Sequence, residues 1–351
     1  MERENEIILQ AVAKAIDYRS NFFAYRMPEC TQLHFGAQII DSHIPVGFYV
    51  QPFIETADSP KAYISAQFDA RKYLLLKLNR INGKEIINST TTREQYNTTV
   101  QSSIKMLKEG KMSKVVISKA ITGKSSKKWV EIYREMLMAY PNAFVFVFNS
   151  EDTGFWMGAS PENFLSFHNG NLKTMALAGT RPANSEEEWS DKNVNEQQIV
   201  VDYIKEKYEE IKSNFTEGNR YTKKAGNVEH LCTEFSASIN NLSQVEKLRS
   251  LLHPTPALAG MPRNEAIKHI IKTENHSRRY YGGYIGPIDA KGNFDFFVNL
   301  RSIEFSNLDY CIYAGGGITA ASDVDCEWEE TENKVAPLLK ILEDEQFNYK
   351  S

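Results

Sequence analysis

The sequence predicts an α/β (α+β) protein folded as one mixed-sheet body, and three observations carry the prediction. Apolar runs of strand composition alternate with segments of helical period. A two-residue Asn169-Gly170 turn joins two strand-like runs, so part of the sheet is antiparallel. No internal repeat and no linker rich in Pro, Gly or Ser divides the chain, although 351 residues would also suffice for two lobes.

Residues 1–100 say little about chemistry; 62–68 and 73–78 have strand composition. Over 92–109, Tyr96, Val100, Ile104 and Leu107 recur at helical spacing and Gly110 stops the helix. Lys114 opens a β-branched run to Ser118, a polar turn follows at 123–128, then a helix through Tyr140 and a buried strand at 143–148. The hairpin pairs 164–168 with 171–177. After a polar loop at 183–193 a helix runs to about Ser213, and 214–226 is a second polar stretch. Residues 294–305 alternate as one strand, 310–314 form another that enters Gly315-Gly316-Gly317, and 325–343 end in a helix.

Composition excludes several classes. With 41 Lys+Arg against 45 Asp+Glu the formal charge is −4. No basic stripe exists for a phosphate backbone, so nucleic acid is not the expected partner. Cys30, Cys232, Cys311 and Cys326 lie far apart, which fits neither a disulfide framework nor a zinc cluster. The acidic start MERENEIILQ does not read as a signal peptide, and the uncharged stretch 136–150 is interrupted by Pro141 and too short to span a membrane. The expectation is a cytoplasmic protein with no membrane partner.

Acids on apolar helix faces stand out, because a carboxylate turned to a core is costly without a partner. On the face formed by Val200, Ile204, Tyr208 and Ile211, one step back of four residues from Val200 reaches Glu196, which should point inward. Glu327, Glu330 and Lys334 share a face of the last helix, where a solvated i,i+4 ion pair is the plain alternative and Pro337 threatens a kink. Two inward carboxylates from separate helices suit a hard cation such as Mg2+, which takes one or two carboxylates, water and an anionic ligand. Arg301, on the apolar side of its strand, suits bidentate capture of a carboxylate, with a solvated edge as the alternative. Gly315-Gly316-Gly317 after a strand would let backbone N–H groups approach an anion. No βαβ unit surrounds it, which discounts a nicotinamide cofactor. Lys114, Glu162 and His230 are each ordinary in isolation.

Together the segments are far more specific. Lys114-Val-Val-Ile-Ser118, Gly158-Ala-Ser-Pro-Glu162, Ala176-Leu-Ala-Gly-Thr-Arg181, Asn195-Glu196, His230-Leu-Cys-Thr233, His253-Pro-Thr-Pro-Ala257, Gly260-Met-Pro-Arg263, Arg301, Ala314-Gly315 and Glu327-Trp-Glu-Glu-Thr-Glu-Asn-Lys334 stand in one order. This order resembles the chorismate-utilising enzymes: isochorismate synthases, salicylate synthases, and the large subunits of anthranilate and aminodeoxychorismate synthases. The resemblance covers about 100–342, and residues 1–100 form a weakly matched segment expected to complete the fold.

The resemblance implies a single large domain of mainly antiparallel sheets flanked by helices, with a Mg2+-dependent chorismate site. Glu196 and Glu330 would hold Mg2+ with Glu327 beside them. Tyr281, Arg301 and Gly315 would receive a chorismate carboxylate, Gly179 and Thr180 would shape the ring pocket, Lys334 would lie near the metal, and His230 matches the pocket histidine. Ala178 stands where aminodeoxychorismate synthases resemble one another in carrying lysine, and His253-Pro-Thr-Pro-Ala257 looks like an isochorismate synthase. The implied reaction has no obligate amidotransferase partner; a salicylate synthase or an amidotransferase-partnered aminase are the alternatives. Lys119 stands where Arg is frequent, and Asn193 replaces an acid seen in some relatives.

In the implied mechanism Lys114, neutral, deprotonates a water that attacks C2, and Glu162, protonated, donates to the departing C4 hydroxyl. Both states oppose the reference values of about 10.4 and 4.3, so bringing each near 7 takes about 4 kcal/mol and a dry pocket. The downstream product, menaquinone or a siderophore, is not legible.

Overall fold

The computed structural model describes residues 1–39, 44–80, 83–86, 88–226 and 228–343. Period-two runs of aromatic and β-branched residues build two sheets in it. An eight-stranded sheet runs in the order Gly260–Met261, Lys114–Lys124, Asp309–Ile318, Ser302–Ser306, Gly154–Ser160, Phe144–Ser150, Asn21–Arg26, Leu33–Gln38. The nine-stranded sheet runs Thr216–Glu217, Val228–Ser238, Asn171–Pro182, Asn163–His168, Phe294–Val298, Tyr284–Ile288, Gly47–Gln51, Ala62–Ser65, with Tyr221–Ala225 on the second of these. The pairings are antiparallel. The first 65 residues thus supply the far edge of each sheet.

Aromatic side chains of both sheets meet between them: Phe23, Phe144, Phe146 and Trp156 from one, Phe48 and Phe297 from the other. The Phe144 and Phe297 rings stack at 4.2 Å. Helices cover the outer faces, with Glu2–Tyr18, Trp129–Ala139 and Val324–Leu342 on the eight-stranded sheet and Asp191–Glu210 on the strand Asn171–Pro182. Local chemistry explains their ends. Thr92 and Gln95 form a reciprocal capping box for Arg93–Lys108, and the Ser190 side chain accepts from Asn193 N–H to start Asp191–Glu210. The predicted hairpin is present, with His168 opposite Asn171 and both Asn169 and Gly170 at positive φ, as its tight turn requires.

Four expectations need correction. The run 294–305 is two strands in different sheets: Phe294–Val298 ends, Arg301 takes a left-handed φ of 48°, and Ser302–Ser306 pairs in the other sheet beside Gly154–Ser160. The alternation continues through the crossover, so nothing in the pattern marks it. Residues 73–78 are not a strand, because Asp69 caps the short helix Ala70–Leu74. The polar stretch 214–226 holds two strands that pair with Val228–Ser238. The three glycines lie inside the strand Asp309–Ile318, opposite Val116, Ile117 and Ser118.

A buried polar chain joins the segment before Tyr284–Ile288 to two strands of the eight-stranded sheet beside the site. Arg279, 4% exposed, pairs with Glu304, whose Oε2 accepts from the Tyr313 hydroxyl at 2.9 Å. Removing one partner of a buried pair strands the other charge. Glu304→Ala should therefore lower stability by about 3–5 kcal/mol in chemical denaturation; a loss below about 1 kcal/mol would contradict this role.

Candidate active site

Two helices and one glycine strand bring the acids together. Glu196, in the first half of Asp191–Glu210, and Glu327 and Glu330, on Val324–Leu342, all face Gly316 and Gly317. A Cβ on Gly316 would stand 3.2 Å from Glu327 Oε2 and 3.5 Å from Glu330 Oε1. A Cβ on Gly317 would stand 2.1 Å from Glu196 Oε1 and 3.0 Å from Lys114 Cε. At Gly317 a Cβ and the Glu196 carboxylate cannot both keep their places, and at Gly316 a Cβ would be tight against Glu327, so glycine suits both positions.

Each acid has a lysine. Lys114 Nζ is 3.0 Å from Glu196 Oε1, an ion pair without aligned hydrogen-bond geometry, and Lys114 is fully buried. Lys192 donates to Glu327 Oε1. Lys334 donates to Glu330 Oε1 at 2.7 Å and to the Gly315 carbonyl at 2.8 Å. Burial acts to raise the Glu196 carboxyl, but Lys114, Lys192 and Lys334 outweigh it and hold it below its ordinary value. Glu327 goes the other way, raised by burial and by neighbouring Glu330 against the pull of Lys192.

The acid cluster opens onto a cavity lined by Glu162, Gly179, Thr180, Glu196, His230, Tyr281, Arg301, Gly315, Glu330 and Lys334. Ten of the twelve residues given a catalytic, substrate or metal role by the resemblance thus share one cavity; Lys114 and Glu327 stand against its glycine floor. Glu162, 5% exposed, is pushed up to about 8 by burial, against the opposing charges of Lys114 and Lys223. It is therefore protonated at neutral pH. His230 is brought down to about 3 by burial and by Arg301 and Lys334. Its Nδ1 lies 3.1 Å from the Gly179 carbonyl, so the neutral ring donates there and turns Nε2 the other way. Arg301 donates to the Ala225 carbonyl at 2.9 Å and has no carboxylate partner among the described residues. An arginine in a cavity with a carbonyl for company is a receptor for an anion.

The donor set fits a hard cation in part. Glu327 is 1% exposed and its Oε2 has no hydrogen-bond partner; the Ser322 hydroxyl stands nearby without aligned geometry. All-oxygen ligands and a glycine cradle suit Mg2+. The lysines presently separate the carboxylates, and no three acidic, His or Cys side chains among the described residues are gathered tightly enough to hold an ion.

Other residues have roles that the sequence did not show. The Asn193 amide donates to the Thr180 carbonyl at 3.3 Å, and its backbone crowds Gly179, whose φ of 73° needs glycine. Asn193 therefore shapes the cavity wall. Ala257 and Leu258 also line it, whereas His253 turns away to the Pro52 carbonyl at 2.9 Å. Lys119 anchors the last helix, with its ammonium 3.6 Å from the Trp328 ring centre and paired with Glu332. No helix among the described residues is long and apolar enough to cross a membrane.

Two antiparallel sheets with helices outside them are a fold shared with solved structures. The chain belongs to the chorismate binding enzymes, whose family pattern matches residues 48–343. It is 29% identical over 303 residues to the isochorismate synthase MenF of Escherichia coli, covering 80% of this chain and 69% of that one. The corresponding Pasteurella multocida protein is 28% identical over 278 residues, 75% of this chain and 64% of its own length. The menaquinone-specific isochorismate synthase structure from Escherichia coli shares the fold, with a TM-score of 0.76 at 20% identity over 92% of this chain and 89% of that chain.

Gly317→Ala should leave circular dichroism near that of the parent while abolishing activity, because the new methyl and Glu196 Oε1 cannot both keep their places at 2.1 Å; retained activity would refute the cradle. The Glu162 carboxyl titrates near 8 when folded against an ordinary 4.5. Between those values the folded state binds more protons, so this group makes stability fall as pH rises. Glu162→Gln should remove that component, and its melting temperature should gain on the parent's from pH 5 to pH 8; a gap constant with pH would contradict it.

Proposed function

We propose that the protein is an isochorismate synthase, which converts chorismate to isochorismate by adding water at C2 and releasing the C4 hydroxyl. The observation that carries this reading is the buried carboxyl of Glu162, pushed up to about 8, in the same cavity as an anion-receptive Arg301 and a floor of three acids. The isochorismate synthase names of its relatives support it.

Arg301, the Tyr281 hydroxyl beside Gly315 and the strand backbone receive one carboxylate of the substrate. Glu196, Glu327 and Glu330 are the residues that would hold Mg2+, which when bound supplies a Lewis-acidic anchor for the ring carboxylate. Gly179 and Thr180 fit the ring edge, and His230, neutral and oriented by the Gly179 carbonyl, offers a hydrogen bond without adding charge. Lys114 reaches the ring from beside Gly317 and takes a proton from the attacking water. Glu162 gives its proton to the departing C4 oxygen, which leaves as water while the ring double bonds shift. One water enters and one leaves, so the reaction is an isomerisation with no net hydration. Holding base and acid against an oriented ring is the dominant contribution asked of the protein.

Incubating the purified protein with chorismate and Mg2+ should yield isochorismate without pyruvate. Stoichiometric pyruvate would make it a salicylate synthase, and product formed only with ammonia would make it an aminase. Lys114→Ala and Glu162→Gln should each reduce turnover by at least about 10²-fold, the range of general acid–base contributions; either variant at the parental rate loses its assigned role.

A further inference from the structure

Lys192, the lysine of one of the three acid–lysine pairs, has no part in the reaction above. Lys192 sits in the first turn of the helix Asp191–Glu210, just after the Ser190 cap. Unpaired N–H groups make that end of a helix favourable for anions and unfavourable for a lysine. Its ammonium nevertheless reaches across to Glu327 Oε1 on the helix Val324–Leu342, where Glu196 and Glu330 also act on it. It covers half of one carboxylate. The other oxygen, Glu327 Oε2, is buried, unpartnered and aimed at Gly316 in the middle of the acids.

Each carboxylate is already occupied: Glu196, Glu327 and Glu330 each face the side-chain nitrogen of one lysine, Lys114, Lys192 and Lys334 in turn. A dication entering this cluster finds every carboxylate occupied by a lysine nitrogen, so one of the three must withdraw. Lys114 is enclosed with a fully buried side chain, and Lys334 is tied to the Gly315 carbonyl as well as to Glu330. Lys192 has the most exposed side chain of the three, at 26%, and Glu327 is its sole hydrogen-bond acceptor among the described residues. It is the one free to leave.

We propose that Lys192 is the internal counter-ion of the acid cluster: it holds Glu327 in the cation-free protein and swings off into solvent when a divalent cation binds, thereby weakening the affinity for the cation alone. This rests on the reading that Glu196, Glu327 and Glu330 form the cation site. Lys192 is a positioning residue and touches no reacting atom.

Calorimetric titration of the full-length protein with MgCl2 in the absence of chorismate tests it, with Mn2+ paramagnetic resonance as a second probe. Lys192→Gln should bind either metal about tenfold more tightly than the parent, equivalent to about 1.4 kcal/mol. Lys192→Arg, which keeps the charge, should bind as the parent does. In a Glu327→Gln background the gain should vanish. Equal or weaker binding by Lys192→Gln, or a gain that persists without the Glu327 carboxylate, overturns the proposal. Thermal melting is the check on folding: without metal Lys192→Gln should melt below the parent, and saturating Mg2+ should raise its melting temperature by more. An equal rise, or a variant unfolded even in saturating Mg2+, also overturns it. Absence of Mg2+ and Mn2+ binding by the parent and every variant, with or without chorismate, would instead remove the cation site itself.

Discussion

Three carboxylates crowded against two consecutive glycines of a central strand are the constraint from which the rest of the site follows. Carboxylates in a desolvated floor repel one another and are costly to bury, so each must be matched by a cation close at hand. The fold meets that demand from three directions: Lys114 from the adjacent strand, Lys192 from the start of one helix and Lys334 from one turn further along another. The glycines are what permit both helices to bring their acids so close to the strand.

Around that floor the cavity is electrostatically divided. Glu162 and His230 are both driven to their neutral forms, chiefly by burial. Arg301 keeps its charge, with one backbone carbonyl as partner. A site so arranged offers a proton on one side and an anion receptor on the other without the two neutralising each other. The same low-polarity surroundings that shift Glu162 also strengthen the attraction of Arg301 for a carboxylate. The supporting structure is correspondingly stiff, with aromatic stacking between the sheets and the Arg279, Glu304 and Tyr313 chain behind the cavity.

Much of this was legible in the chain. Helical spacing turned Glu196 inward and put Glu327, Glu330 and Lys334 on one face, and Glu196 and Glu327 are buried in the structure. The Asn169-Gly170 hairpin and the helices read at 92–109, from after 193 to about Ser213, and at 325–343 were visible in period; the structure has them at Arg93–Lys108, Asp191–Glu210 and Val324–Leu342. Pro337 sits within the last helix without ending it, beyond the turn that carries the acids. The roles of Lys192 and Asn193 were not visible, because a lysine and an asparagine near a helix start look like ordinary solvated residues until the partner helix or strand is in place.

What the sequence determined by itself was the set of chemical groups and, through period and glycine content, which way most of them point within their own elements. Tertiary structure decided which elements meet. Arg301 reaches the cavity because the chain crosses from one sheet to the other at that residue, a change of direction that alternation cannot express. The pairing of each acid with its lysine spans up to 135 residues of chain, as between Lys192 and Glu327. Local periodicity carries no information over such separations; packing of the two sheets and the helices against them does.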